Sequence, residues 1–346
     1  MSNRTLLIDS RYLLKRSING AKDVYTNGIH FGGVFQFFTT LRKLVYTHKV
    51  NKVILFWDGE NGGLQRHLID LNYKSNRKNK SWSDKIVLSE AEIKREEEKE
   101  RSILWQQKRI NAYAEELFLR QICVDQIEAD DLIAQYCLDH YQTEELLIFT
   151  NDRDFLQLLD LNITILFGNI DHPITKSNFY FDFGYHYTNA INMKIICGDT
   201  SDCIKGIRGF SEEALLKEFP DLKFKPMMIR DICKIADDYN KQRIAEKKKP
   251  LKKYETLLNS VPQLITNYRL VNLKDPILND EAYEELAQLE MPLSPENRGS
   301  KNLYKMMQED DFFSIYNSTF VNYVEPFYTI IMNEKKLYDE YRKKQH

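Results

Sequence analysis

The apolar positions of this chain cluster first into short unbroken runs. Thr5 to Asp9 reads TLLID, Lys52 to Asp58 KVILFWD, Leu146 to Thr150 LLIFT and Ile163 to Phe167 ITILF. These runs are rich in Ile, Leu and Phe, lack polar alternation, and are bounded by Asp, Asn or Gly. That pattern predicts strands buried on both faces, as in a parallel sheet. Between them, Val34 to Tyr46 and Asp130 to His140 carry helical spacing. Strands alternating with helices predict an α/β fold, a central mostly parallel sheet flanked by helices. Gln121 to Ile127 (QICVDQI) reads as a short extended approach to a helix that starts at Glu128.

Two regions depart from this alternation. From about residue 62 to 117 a glycine pair leads into a basic, aromatic stretch and then into strong helix formers of mixed charge. This reads as one or two long exposed helices inserted between strands. After Phe219 the pattern is mostly helical and punctuated by prolines, with Pro292 to Lys301 read as a loop. The predicted division is an α/β core over residues 1–197, carrying the insertion, and a helical region over 198–346.

Composition adds limits. With 42% apolar and 29% charged residues, 346 positions are enough to fill a real core. No window approaches 18 consecutive apolar residues, so no membrane span is expected, and the charged N-terminus shows no cleavable apolar segment. Five cysteines, an odd number without a C-x-x-C pair, point to reduced thiols in a cytoplasmic compartment.

The candidate chemistry is acidic. Asp9 and Asp58 close the first two strands, and Asp152 and Asp154 follow the third. In open α/β sheets the ligand site lies beyond these strand ends. Glu128, Asp130 and Asp131 crowd the start of a helix, and no Lys or Arg occurs from Gln121 to Asp131. Asp199 and Asp202, spaced i, i+3, share a face. Each group alone has an ordinary explanation as a turn, a cap or a loop. Nine converging carboxylates would repel one another, by about 4 kcal/mol for a pair 4 Å apart at an effective dielectric of 20. Protons or cations must offset that, and carboxylate oxygens suit hard ions such as Mg²⁺ or Mn²⁺. Two such ions serve phosphoryl transfer. The net charge of −2 becomes +7 for the rest of the molecule once these nine are set aside.

In order along the chain, LLIDS, ILFWDGENGGLQR, YKSNR, IEADDLIA, TNDRDF and GDTSDCIKGIRGF resemble the motifs of the 5′ nuclease superfamily. That group comprises flap endonucleases, bacterial polymerase 5′ nuclease domains and phage 5′–3′ exonucleases. The likeness spans roughly Leu6 to Leu216 and is nearest to phage-type enzymes such as the T-even phage ribonuclease H. The resemblance implies a PIN-like core, a helical arch over 62–117, a helix-hairpin-helix-type motif and a C-terminal helical lobe. It implies a first ion at Asp9, Asp58, Glu128 and Asp130, and a second at Asp152, Asp154, Asp199 and Asp202, with Asp131 between them. Lys74 matches a lysine that stabilises charge on the scissile phosphate. Tyr73 matches a base-stacking aromatic, and Arg66 and Arg77 match arginines of the gateway helix.

Further nucleic-acid contacts are implied at Lys205, Gly206, Arg208 and Gly209, with a potassium ion in that hairpin. Ser211, Glu212, Glu213 and Cys203 depart from the family pattern there. Gly32 and Gly33 either let DNA approach the first family helix or serve packing. The acidic middle of the insertion, SEAEIKREEEKE, either faces solvent or steers a strand. The implied activity is Mg²⁺-dependent cleavage of 5′ flaps and 5′ ends, with removal of RNA primers from RNA–DNA hybrids. Implied partners are branched DNA, a single-stranded-DNA-binding protein or a sliding clamp, acting on a monomer. The alternatives are a non-catalytic binder of branched DNA and an aspartyl phosphatase. The latter wants a second Asp two residues after Asp9, where Arg11 stands.

Overall fold

Five parallel strands form the main sheet of the computed structural model, which describes residues 3–21, 24–26, 29–78, 89–315 and 319–345. In chain order, β1 (Arg4–Asp9) leads into α1 (Ser10–Gly20), then a two-stranded ribbon of β2 (Tyr25–Thr26) and β3 (Ile29–His30), then α2 (Gly32–His48). Next come β4 (Lys52–Asp58), α3 (Leu64–Ile69), α4 (Ser75–Lys78) and the 27-residue α5 (Glu90–Glu116). β5 (Arg120–Val124), α6 (Ala129–His140), β6 (Glu145–Thr150), a 3-10 helix (Arg153–Leu161) and β7 (Thr164–Phe167) complete the core. α7 (Phe179–Phe183) and α8 (Ala190–Cys197) precede the short ribbon of β8 (Gly198–Asp199) and β9 (Ile204–Lys205), and α9 (Glu212–Glu218) follows.

The sheet order is β5-β4-β1-β6-β7, so the chain reverses its direction of progress beside β1. A ligand crevice opens at the carboxyl ends of strands at such a point. Register sets Asp9 beside Phe56 and Asp58 beside Val124, bringing both acids to that edge.

Strand residues alternate between two buried layers. Leu7, Phe56 and Ile148 face one core, while Ile8, Trp57 and Phe149 face the other. This is why the runs carry no polar alternation. β5 is the strand that the apolar pattern shows least well, because it begins with Arg120 and Gln121. Arg120 is nevertheless buried. Its Nε and Nη2 donate to Glu334 at 3.0 and 2.7 Å, tying the last helix (Tyr328–Gln345) to the sheet edge.

The helices after α9 do not gather into one lobe beside the core. Those through Leu289 pack on the layer containing Leu7, and Leu303 to Ile331 pack on the layer containing Ile8. The insertion's long helix divides similarly along its length. Its start is capped reciprocally by Ser89 and Glu92, its first half is largely exposed, and Ile110, Tyr113 and Ala114 near its end are buried. At 1.5 Å per residue it reaches about 40 Å. Asn79 and Lys80, at the end of the basic stretch, lie outside the described residues, as does Gly28.

Gly32 and Gly33 are buried at the start of α2, which favours packing over the approach of DNA. A Cβ on Gly33 would stand 2.4 Å from Gln106 Oε1 and 2.6 Å from Ile18 Cγ1. The glycine thus lets α1, α2 and the root of α5 close together. Gly33→Ala is expected to lower stability by about 1–3 kcal/mol, the usual cost of overpacking. The urea midpoint should fall with an unchanged slope; an unchanged midpoint would return Gly33 to the surface role.

Candidate active site

Asp9 ends β1 and caps α1. Its Oδ1 accepts from the Tyr12 amide at 2.9 Å and its Oδ2 from the Thr150 hydroxyl at 3.1 Å. Burial, with Asp58 and Asp152 nearby, nonetheless holds its pKa up at about 6. Asp58 ends β4, and its Oδ1 accepts the Ala129 amide at 3.0 Å, so it serves the first turn of α6. Its other oxygen meets Arg11 Nη1 at 3.2 Å. Asp130 lies one residue further into that turn, and burial beside Asp152 and Asp9 pushes its carboxyl well up. Asp152 caps the 3-10 helix, with Oδ1 accepting from the Asp154 amide at 2.8 Å.

These four acids and Asp199 line one open cleft of about 780 Å³, together with Lys74, Lys194, Arg11 and Arg153. Asp154 lies behind it, where burial and Asp152 raise its pKa to about 7 against the pull of Lys194. Asp199 goes the other way. Burial opposes its charge, but bonds from Lys194 and Ser201 hold it at about 2. Asp202 is buried, 3.8 Å from Lys74 Nζ.

Glu128 and Asp131 turn from the cleft and find their counter-charge within the protein. This corrects the expectation that metal supplies it to the whole first turn. The Arg66 guanidinium makes a fork on Asp131, with Nη2 to Oδ1 at 2.9 Å and Nη1 in contact with Oδ2. The same Nη1 donates to Glu128 Oε2 at 2.8 Å, and Nε donates to Leu270 O at 2.9 Å. Asp131 is 1% exposed and takes the Ile277 amide as well at 3.0 Å, so it offers no oxygen to a cleft ion. Glu128 also accepts from Tyr73 OH at 3.0 Å and from the Lys74 ammonium. Burial would raise its pKa, but Arg66 and Lys74 bring it below the ordinary value.

The gateway residues change meaning with this. Arg66 is 4% exposed and makes four hydrogen bonds to buried acceptors, so it is an internal counter-ion rather than a phosphate contact. Tyr73, also 4% exposed, spends its hydroxyl on Glu128 and has no free face for a base. Lys74 lines the cleft. The side chain of Arg77 lies outside the described residues. Lys205, Arg208 and Gly209 are exposed between α8 and α9. Gly206 is exposed with them, and a Cβ there would stand 2.0 Å from Cys197 O, so the close approach of the two strands requires glycine.

Lys194 is the residue that sequence reasoning passed over. Its Nζ lies 2.8 Å from Asp154 Oδ1 and in contact with Asp199. The signal was present, since it is a lone charge in AINMKIIC, and lysines in such surroundings are almost always paired. A separate group of possible ligands, His140, Glu144 and Glu290, already encloses an ammonium, with Lys52 Nζ at 3.2 Å from Glu144 and 3.1 Å from Glu290.

The cleft presents an all-oxygen carboxylate set in which burial and the neighbouring carboxylates push Asp9 and Asp130 toward neutralisation. That is the chemistry a hard divalent ion fits.

Arg66→Met should destabilise the fold by about 3–5 kcal/mol, because two buried carboxylates lose their partner. Urea unfolding with unchanged stability would instead favour a surface role. The pH dependence follows from Asp9 and Asp154. Their folded pKa values of about 6 and about 7 exceed the unfolded value near 4, so the fold binds more protons between these limits. Stability from these groups is therefore present at low pH and lost as pH rises through 6 to 7, by about 1.4 kcal/mol per unit for each group still titrating. In EDTA, the Asp9→Asn/Asp154→Asn variant should show a flatter fall of Tm between pH 5 and 7.5 than the wild type. Mn²⁺ should raise the wild-type Tm more at pH 7.5 than at pH 5.

Residues 4–184 match the family described as 5′-3′ exonuclease, N-terminal resolvase-like domain. A 5′-3′ exonuclease of Mycoplasmopsis pulmonis is 30% identical over 293 residues, covering 82% of this chain and 90% of that protein. One from Bacillus subtilis is 27% identical over 62% of this chain and 69% of its own length. Among solved structures, the T5 5′-exonuclease with bound divalent metal ions (zinc) matches with a TM-score of 0.59 at 17% identity, over 89% of this chain and 99% of that one. A T5 flap endonuclease, in a pseudo-enzyme-product complex with DNA and metal ions, matches with a TM-score of 0.59 at 16% identity over the same shares. Likeness at that level of identity is likeness of fold. With the family model and the bacterial relatives beside it, the chain belongs to the 5′–3′ exonuclease family of 5′ nucleases.

Proposed function

We propose that the protein is a divalent-metal-dependent, structure-selective 5′ nuclease that hydrolyses phosphodiesters at 5′ flaps and 5′ ends of branched DNA and removes RNA from RNA–DNA hybrids. The observation that carries this is the meeting of Asp9, Asp58, Asp130, Asp152 and Asp199 in one open cleft at the carboxyl ends of the strands. The named relatives support the nuclease reading, and the metal and DNA recorded for the T5 proteins support the ligand class.

Divalent ions bound in the cleft would supply Lewis-acid stabilisation of charge on a transferring phosphoryl group. The remaining work falls to the chain itself. Asp9, Asp58, Asp130, Asp152 and Asp199 would offer oxygens in the cleft, with Asp154 close behind them. Lys74 presents an ammonium at the same opening, suited to a phosphate oxygen. Glu128, Tyr73 and Asp202 position that ammonium. Exposed Lys205 and Arg208 are the duplex contacts we favour. α9 opens, after the Ser211 cap, with Glu212 and Glu213, whose carboxylates repel phosphate, so the grip shifts to those two cations.

The test is cleavage of a 5′-labelled flap duplex with Mg²⁺, using matched DNA and RNA 5′ strands. The wild type should cut near the junction and lose activity in EDTA. An Asp152→Asn/Asp154→Asn variant should cut at least a thousandfold more slowly, as expected when oxygen donors for charge stabilisation are lost. Equal rates for the two proteins would sink the reading. Intact RNA strands beside cut DNA strands would remove the hybrid part alone.

A further inference from the structure

Lys194 emerges from α8, whose other residues are apolar or uncharged, into the back of the cleft. Its side chain is 18% exposed. The ammonium sits between two carboxylates carried by different segments. It lies 2.8 Å from Asp154 Oδ1, beyond β6, and touches Asp199 Oδ2 in the β8 ribbon. The other half of the cleft differs. Asp9 there accepts from two neutral donors, the Tyr12 amide and the Thr150 hydroxyl.

We infer that Lys194 holds the place of one of two divalent ions, bridging Asp154 and Asp199 until that ion displaces it. The inference rests on the metal-dependent reading above. An ion bound by oxygens of both carboxylates needs the space between them, with metal–oxygen distances of about 2.0–2.1 Å for Mg²⁺. The ammonium fills that space. Two cations cannot share it, because their repulsion at such a separation is large in a partly buried site. Lys194 keeps its proton and its charge when displaced, and the open cleft that it lines gives it room to turn. Meanwhile it prevents Asp154 and Asp199 from repelling each other and from drifting apart.

Two consequences follow. The ions bind unequally, since one enters beside Asp9, where the cation at hand is the exposed Arg11 on Asp58, and the other must move the largely buried Lys194 from between two carboxylates. The ammonium also makes the second site selective against loading in the absence of a polyanion, because the displaced charge needs a new partner and a phosphate in the cleft provides one. Lys194 is thus a positioning residue for Asp154 and Asp199 and a competitor for their ion.

The experiment is calorimetric titration of the full chain with Mn²⁺, without nucleic acid. Wild type, Lys194→Met, Lys194→Arg and the remote control Lys274→Met are compared. The weaker of the two Mn²⁺ affinities should tighten about tenfold or more in Lys194→Met and stay near wild type in the other two. The rise in Tm at fixed Mn²⁺ should be larger in Lys194→Met, even if its metal-free Tm is lower. A purely structural lysine predicts the opposite, since loosened carboxylates bind an ion less well. Equal or weaker Mn²⁺ binding in Lys194→Met overturns the inference. If no protein binds Mn²⁺, the metal-dependent reading falls with it. If Asp152→Asn/Asp154→Asn abolishes cleavage while Lys194→Met leaves both affinities unchanged, only the role of Lys194 fails.

Discussion

The guanidinium of Arg66 joins three parts of the chain at one buried point. It comes from α3 at the root of the insertion, forks onto Asp131 in α6 with a branch to Glu128, and donates to Leu270 O in the helix Val261–Val271. Asp131 extends the link by accepting the Ile277 amide. Removing charges from water is costly, and a buried pair is tolerable only when its remaining hydrogen-bonding capacity is filled. Here both Asp131 oxygens and most of the guanidinium N–H groups have partners. The first turn of α6, which carries Asp130 to the cleft, is therefore set by an ionic contact that faces away from the cleft. The insertion inherits the same constraint, because its entry is held at Arg66 and again at Lys74. The Lys74 amide donates to Asp202 O at 2.9 Å while its backbone adopts φ of 50°. A lysine in that region carries some strain, and the contacts around it are what maintain it.

Six of the nine acids separate by what neutralises them. Glu128 and Asp131 are matched by Arg66, with Lys74 on Glu128, and are part of the architecture. Asp154 and Asp199 are matched by Lys194, an ammonium at the edge of solvent. Asp9 has two neutral donors, and burial and neighbouring carboxylates push both Asp9 and Asp130 upward, for Asp130 against the pull of Lys74. Charge compensation is fullest around Arg66, partial at Lys194, where Asp154 stays raised, and weakest at Asp9 and Asp130. A cation arriving from solvent meets the least compensated acids first, and a phosphate arriving with it meets Lys74 and Lys194 in the same opening.

Much of this was legible in the order of residues. The doubly buried strands announced themselves as unbroken apolar runs, and parallel topology then sends Asp9, Asp58 and Asp152 to one edge. β5 was harder because a buried arginine opens it, and nothing local shows that Glu334, far along the chain, awaits it. Arg66 and Tyr73 sit in a motif whose family resemblance pointed outward. Their inward direction depends on the packing of α3 against the helix Val261–Val271, a contact across some two hundred residues. The glycine pair at the start of α2 had two open readings, and only the proximity of Gln106 and Ile18 decides for packing. The C-terminal helices show an apolar stripe in sequence, but a stripe does not name its partner. Their distribution over both layers of the core is a tertiary choice.

Lys194 shows why a motif of acids is an incomplete description of such a site. Like charges can be held together only if something positive is present at every stage, including before any ion binds. A site with no internal cation would have to fold with several protonated carboxylates, and its geometry would relax as they ionised. A site fully matched by internal cations would fold well and bind no ion. This protein stands between the two. Arg66 is locked in place by buried partners on every side, whereas Lys194 lies on the wall of an open cleft with space before it. The difference in exposure between these two cations separates the charge that belongs to the fold from the charge that can be exchanged for a ligand.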